Sequence, residues 1–317
     1  MCPIKKSNTI DDLYQYDSSN GIGKGAYGNV YRAVCRSTNK VVAIKRMVLN
    51  ERPNNVIQAL CREAAINVLL KPHPCIIQFK NVMEEYLSCK VADRIHKRNR
   101  SVYIIMEHGK DGDLFDLVNN AHPIPEDDVI VIFDQLFHAI SHLHGQGIAH
   151  RDLKLENVIV TSEEQYQVKL CDFGVATFER TGHRFLTHCG TLEYSAPEIL
   201  SSERKTKETM GYTKAVDIWS LGIMLYNTLS KSSPYPSSCY VKETMYQYTC
   251  SDEFPDFAGN VWHQVSDQAK NLIRNMLAAD PDQRFNIDQI LAHPWAQRAR
   301  VLENRNASLA KYLNMPS

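Results

Sequence analysis

The chain has 317 residues, 44% hydrophobic and 23% charged, and its 36 basic and 36 acidic side chains give a formal net charge of zero. That balance excludes a protein that coats nucleic acid or clings to a membrane by bulk charge, and no run approaches the ~20 apolar residues of a membrane helix. The nine cysteines include no C-x-x-C pair; with no apolar signal segment at residues 1–10, they are read as reduced thiols of a cytoplasmic or nuclear protein.

In chain order, the first part reads as strands. The glycine-rich stretch 21–28 is expected to break the strand before it, and Val41, Val42 and Ile44 mark a short β-branched run. A helix is expected over 56–70, rich in Ala, Leu and Glu and stopped by Pro72 and Pro74. Strand-like runs recur at 76–82 and 101–106. Between them, 86–100 is expected to be a solvated loop. Its basic run, Arg94, His96, Lys97, Arg98 and Arg100, has a docking or nuclear-targeting patch as its alternative reading. A turn-rich hinge follows at 109–113. Then Val129, Ile130, Ile132, Phe133, Leu136, Phe137 and Ile140 recur at helical spacing, and helical patterns dominate again from Asp217 onward. A small strand-rich lobe before a larger helical one predicts an α+β architecture with a cleft at the join.

Four motifs carry chemistry. Gly23, Gly25, Gly28 and Val30 fit G-x-G-x-x-G-x-V, in which glycines let backbone N–H groups approach phosphate oxygens. A Rossmann reading needs a helix directly after the glycines, whereas 30–34 reads as a strand. Val42, Ala43, Ile44 and Lys45 follow on a strand, with Glu63 on the next helix. His150, Arg151, Asp152, Leu153, Lys154, Leu155, Glu156 and Asn157 place a proton acceptor, cations and a metal-binding amide within one loop. Asp172, Phe173 and Gly174 come after it. Such a set can hold a hydroxyl, neutralise a phosphate and ligate a divalent metal.

Together these residues resemble the eukaryotic serine/threonine protein kinases over about 21–295. The resemblance implies a two-lobed kinase fold: an extension at 1–15, a kinase domain at 16–298 (N-lobe 16–107, hinge and C-lobe 108–298), and a short tail at 299–317. It implies transfer of the γ-phosphate of ATP, with Mg²⁺, to serine or threonine of protein substrates. The roles that follow are carried over from the phosphoryl-transfer chemistry of that family, position by position. Asp152 would accept the hydroxyl proton and Lys154 would sit on the γ-phosphate. Lys45, paired with Glu63, would meet the α- and β-phosphates. Asn157 and Asp172 would hold the metal through oxygen. Met106, Glu107 and Gly109 would meet the nucleotide base, with Val30, Ala43 and Ile159 around it. Cys171 would line the back of that pocket.

The resemblance reaches further. Glu198 would pair with Arg284, Asp217 would brace the catalytic loop, and Thr191 would bond Asp152 and Lys154. Arg151 would receive a phosphate placed on Thr187 by an upstream kinase. Two departures stand out: Thr177 replaces a second cation after Asp172–Gly174, and Asn67 replaces an apolar residue one turn after Glu63. The latter predicts either a less stable active state or a local partner for the amide. Asp113 and Glu156 match acidic positions that favour substrates with upstream arginine, although Asn227 replaces a third. Leu192, Glu193 and Tyr194 lack the signature of proline-directed kinases, which favours a calcium/calmodulin-kinase-like or checkpoint-like branch. The rival reading is a pseudokinase-type scaffold or binding module. It predicts missing catalytic residues, yet Lys45, Glu63, Asp152, Asn157 and Asp172 are all present.

Overall fold

Strand β3 (Val41–Val48) shows why the first part of the chain folds as it does. Val42 and Ile44 point to one face of the sheet, while Ala43, Lys45 and Met47 point to the other, and all five are buried. The computed structural model describes residues 9–24, 28–49, 54–91, 94–109, 111–120, 123–179, 190–201, 212–239 and 241–302. These divide into two units, one within Met1–His73 and Ile77–Gly109, the other within Pro74–Ile76 and Lys110–Ser317.

The first unit opens with helix α1 (Ile10–Leu13), closed by a Thr9–Asp12 capping box. Its antiparallel sheet has the order β1-β2-β3-β5-β4, from β1 (Tyr14–Lys24), β2 (Asn29–Cys35), β3, β4 (Phe79–Val91) and β5 (Arg94–Glu107), with helix α2 (Asn54–Leu69) after β3. Ile10 and Tyr14 join Ala33, Val42, Ile44, Tyr103 and Ile105 in one core cluster. Met47, Leu49 and Ile104 form another with Leu60 of α2.

Two expectations change here. Gly21 and Gly23 do not end β1, because Gly21 pairs with Tyr31, Gly23 with Val30 and Lys24 with Asn29; the register shifts on both sides of Gly21 and the strand stops at Lys24, within the glycine-rich stretch. Glycine permits this by fitting a pleat as readily as a turn. The segment 86–100 is not a loop. Pairing of β4 with β5 continues through Tyr86↔Arg100, Leu87↔Asn99, Cys89↔His96 and Lys90↔Ile95 to Val91↔Arg94. Leu87, Cys89 and Val91 alternate with Ser88 and Lys90 at the strand period, a pattern that the charge density masks.

The second unit is mainly helical. In chain order it holds α3 (Leu114–Asn120), α4 (Glu126–Gly145), β6 (Ile148–Ala149), β7 (Val158–Ser162), β8 (Gln167–Leu170), β9 (Thr177–Phe178), α5 (Pro197–Leu200), α6 (Ala215–Ser230), α7 (Lys242–Thr249), α8 (Asp267–Met276) and α9 (Ile287–Ala292). A further helical stretch covers 294–302. β6 pairs with β9 and β7 with β8, both antiparallel. The stripe expected on α4 is buried from Val129 to Ile140, and the buried face continues to Leu143. α6 is buried almost all round, and Gly222 lets α8 approach: a Cβ there would lie 2.7 Å from Leu277 Cδ2.

Two polar anchors fix this unit. Arg284 donates to both oxygens of Glu198 at 2.8 and 2.9 Å and to the carbonyls of Ala278 and Ala215, with its guanidinium 5.1 Å from the Trp219 ring centre. Glu126, in the first turn of α4, accepts from Ser266 N (2.8 Å) and Oγ (2.6 Å), Trp295 Nε1 (2.9 Å) and Arg298 Nη1 (3.0 Å). Burial pushes the Glu126 carboxyl up, but the Ser266 hydroxyl and amide, the Trp295 indole and Arg298 outweigh it and hold the group below the usual carboxylate range.

A carboxyl lowered on folding stabilises the protein above its unfolded pKa of about 4.3, and that contribution fades as pH falls through the lower folded value. Glu126→Ala should cost about 3 kcal/mol at pH 7. The gap from wild type should narrow below about pH 4, as checked by urea denaturation across a pH series.

Candidate active site

In the first unit, the geometry begins with two periods. The strand period puts Lys45 on the same face of β3 as Ala43 and Met47. The helical period puts Leu60, Glu63 and Ile66 on one buried stripe of α2. Lys45 Nζ therefore meets Glu63 Oε1 at 2.6 Å, with both residues almost wholly buried. A buried ion pair requires close geometry to offset desolvation, and this contact provides it. Asn67, one turn beyond Glu63, has the local partner expected as one of its two outcomes: its Nδ2 donates to the Glu63 carbonyl at 2.9 Å.

Other expected residues lie on the same sheet. Val30 pairs with Lys45, Ala43 with Met106 and Val42 with Glu107. The Glu107 side chain accepts from the Gln78 amide at 2.9 Å. Gly23 lies in β1, and Gly28 lies just before β2, where a Cβ would collide with the Arg46 carbonyl oxygen. Only glycine fits that approach. Gly109 follows β5. Gly25 lies outside the described residues.

In the second unit, β6 delivers the chain into 150–154, and a buried carboxylate sets the loop's path. Asp217 of α6 is fully buried. It accepts from His150 N at 2.9 Å, from Arg151 N at 2.8 Å and from His144 Nε2 at 2.8 Å. These bonds hold Arg151 at φ +68, a conformation unfavourable for a residue with a Cβ. Burial pushes the Asp217 carboxyl up, but the hydrogen bond and charge of His144, with His150 and the Arg151 amide, pull it below the ordinary range. His150 Nε2 donates to the Cys171 carbonyl at 3.1 Å while its Nδ1 accepts from Asp152 N at 3.3 Å, which fixes the tautomer. The His150 ring lies 5.3 Å from that of Phe173.

Asp152 sits at the centre of the polar group. Its Oδ1 accepts from Thr191 N at 3.0 Å and Thr191 Oγ1 at 3.1 Å. Its Oδ2 faces Asn157 Nδ2 at 3.3 Å and Lys154 Nζ at 3.4 Å. Lys154 also donates to Thr191 Oγ1 at 3.1 Å. Asn157 gives a second bond from Nδ2, to the Asp152 carbonyl at 2.7 Å, which leaves the amide oxygen as the atom to offer a metal. The Cys171 amide donates to the Asn157 carbonyl at 2.9 Å, which brings Asp172 next to this loop. Asp172 has φ +60, and its Oδ1 accepts from Gly174 N at 3.2 Å. An amide oxygen and a carboxylate fit a hard divalent cation such as Mg²⁺. Ile159 lies in β7 and bridges to Asp113.

The Arg151 side chain has polar partners within its own unit. Its Nε donates to the Val175 carbonyl at 2.8 Å, Nη2 donates to the same oxygen, and Nη1 donates to Tyr212 Oη at 3.0 Å. Thr187 lies outside the described residues. Thr177 lies in β9, paired with Ala149, and two residues on Glu179 meets Lys214 at 3.4 Å.

The acidic positions also divide. Asp113 Oδ1 accepts from Asp116 N at 2.9 Å, and burial, with the Asp116 charge, raises its carboxyl above the usual range against that amide bond. Glu156 is exposed. Asn227 satisfies its neighbours with its amide turned so that the nitrogen faces the carbonyls of Ile223 and Ser232, at 3.2 and 3.0 Å.

Sequence reasoning missed His144 and Tyr212. His144 had a signal: it falls four residues after Ile140 on the apolar stripe of α4, where a polar residue requires a partner. Tyr212 had none. Asp217→Ala should leave two buried amides and His144 without their acceptor, costing about 3–5 kcal/mol. Urea denaturation with far-UV circular dichroism checks this.

The sequence matches the protein kinase domain family over residues 16–296. It is similar to the probable serine/threonine-protein kinase fhkC of Dictyostelium discoideum, with 31% identity across 93% of this chain and 49% of that protein. It is 31% identical to the ovarian-specific serine/threonine-protein kinase Lok of Drosophila melanogaster, across 89% of this chain and 56% of Lok. It is 34% identical to the meiosis-specific serine/threonine-protein kinase mek1 of Schizosaccharomyces pombe, across 87% and 58%. The chain thus spans about half the length of these relatives.

Proposed function

The chain belongs to the protein kinase family, in its serine/threonine branch, and from that membership we propose that it transfers the γ-phosphate of Mg-ATP to serine and threonine hydroxyls of protein substrates. The observation that carries this reading is the grip on Asp152. Both of its oxygens are held by donors from Thr191, Asn157 and Lys154, so the carboxylate is oriented before any substrate arrives.

In this reading Asp152 orients the substrate hydroxyl and takes its proton, and Lys154 offsets charge on the transferred phosphoryl group. Lys45, kept in place by Glu63, binds the α- and β-phosphates. Asn157 and Asp172 hold Mg²⁺, which when bound neutralises phosphate charge. We assign Gly23, Gly25, Gly28, Val30, Ala43, Met106, Glu107 and Gly109 of the first unit, and Ile159 of the second, to nucleotide binding.

Substrate preference follows from Asp113 and Glu156. Exposed Glu156 is suited to an upstream arginine, whereas Asp113 is partly committed to capping α3 and Asn227 is neutral. We therefore propose a moderate preference for basic residues upstream of the target hydroxyl, in a calcium/calmodulin-kinase-like or checkpoint-like branch. The cytoplasm or nucleus is the proposed location. Phosphate on Thr187, placed by an upstream kinase, is the proposed switch, with Arg151 as its receiver. At least three of the five Arg151 N–H groups are already committed to Val175 and Tyr212, so the switch should have a limited range.

The test is radiolabelled γ-phosphate transfer to a degenerate Ser/Thr peptide library with Mg²⁺. Wild type should label it, and Asp152→Ala should lose about 10³-fold in rate while keeping ATP binding. No transfer by wild type carrying phosphate on Thr187 would favour the scaffold reading. Thr187→Ala should lower activity about tenfold relative to phosphorylated enzyme, or about 1.4 kcal/mol in transition-state terms. Equal rates in steady-state assays would remove the switch.

A further inference from the structure

We propose that the ribbon made by the outer parts of β4 and β5 is a docking arm for an extended, Asp/Glu-rich polypeptide segment, which adds alongside β5 as a further strand. The first observation is topological. β3 accompanies β5 only as far as the pair Val48↔Ser101, after which Leu49 N donates once to the Arg100 carbonyl at 2.8 Å. β5 itself starts at Arg94 and is paired there with β4 alone, among the described residues. Among the described residues, the side of β5 away from β4 is therefore a strand edge over 94–99. A strand edge presents backbone N–H and C=O groups that an extended chain can pair with. Six to seven residues of strand span about 20 Å.

The second observation is charge. Within 86–100 the sequence places Lys90, Arg94, Lys97, Arg98 and Arg100 against Asp93 alone, a surplus of four in a chain whose net charge is zero. Arg100, at the base of the ribbon, is ion-paired with Glu84. The others lie on or beside the open-edged segment. A run of cations repels a second copy of the same ribbon and draws in an acidic strand, so the two observations select the same occupant. Between 87 and 100 there is no Phe, Tyr or Trp. Single-stranded nucleic acid is usually gripped by stacking its bases on such rings, which favours a peptide over RNA.

The test uses the full chain without ATP, so its result is independent of catalysis. A fluorescent twelve-residue Asp/Glu-rich peptide lacking Ser and Thr is titrated by anisotropy against wild type and the triple variant R94Q/K97Q/R98Q. The variant should bind at least tenfold more weakly, and salt should weaken wild-type binding. Peptide should also slow amide hydrogen exchange at 94–99. An unchanged urea denaturation midpoint would show that the variant is folded. Equal affinity of variant and wild type, or binding with no protection at 94–99, overturns the proposal. Tighter binding of a uridine oligonucleotide that displaces the peptide overturns it too, and makes the arm a nucleic-acid site.

Discussion

The carboxylate of Asp217 is the constraint on which the second unit's chemistry depends. It is buried in a helix that is apolar almost all round, where an ionised group is costly unless donors meet it. Three donors do so: the amides of His150 and Arg151 and the ring of His144. The arrangement works in both directions. The loop's amides stabilise the charge, and the charge holds the loop in a backbone conformation that Arg151 would not adopt unaided. From that fixed start, the next residue presents Asp152 to Thr191, Asn157 and Lys154. The Asp152 carboxylate is thus positioned by a residue 65 places further along the chain.

The first unit reaches its ion pair by packing alone. Lys45 and Glu63 face one another because strand period 2 and helix period 3.6 each put a charged residue on the buried side of its element. Leu60, Met47, Leu49 and Ile104 supply the apolar contact that presses helix to sheet. The Asn67 amide satisfies itself on its own helix, so the departure at that position introduces no unpaired donor.

How much of this was legible in the sequence depends on the range of the signal. The glycine loop, Lys45, Glu63 and the loop at 150–157 are local patterns whose residue types follow from phosphate chemistry, so they can be read in order along the chain. The stripe on α4 was legible by period. The ribbon at 86–100 was misread because Arg and Lys suggest solvent, whereas Leu87, Cys89 and Val91 kept the strand alternation. The glycines of β1 were misread because glycine has no side chain to report its conformation. The partners of Arg151 were not legible at all: a backbone oxygen at Val175 and a tyrosine 61 residues away leave no local trace.

The Glu126 anchor bears on where this fold can be cut. Similarity to the family runs out at residue 296, between the indole of Trp295 and the guanidinium of Arg298 that both serve the same carboxylate. Arg298 also reaches Asp127 at 2.5 Å. A fragment excised at that border would keep the aromatic ring but discard the cation, leaving the start of α4 with a partly desolvated acid and a weaker clasp on α8. The physical edge of the helical unit therefore lies at least two residues beyond its recognisable one, at a side chain that carries no motif.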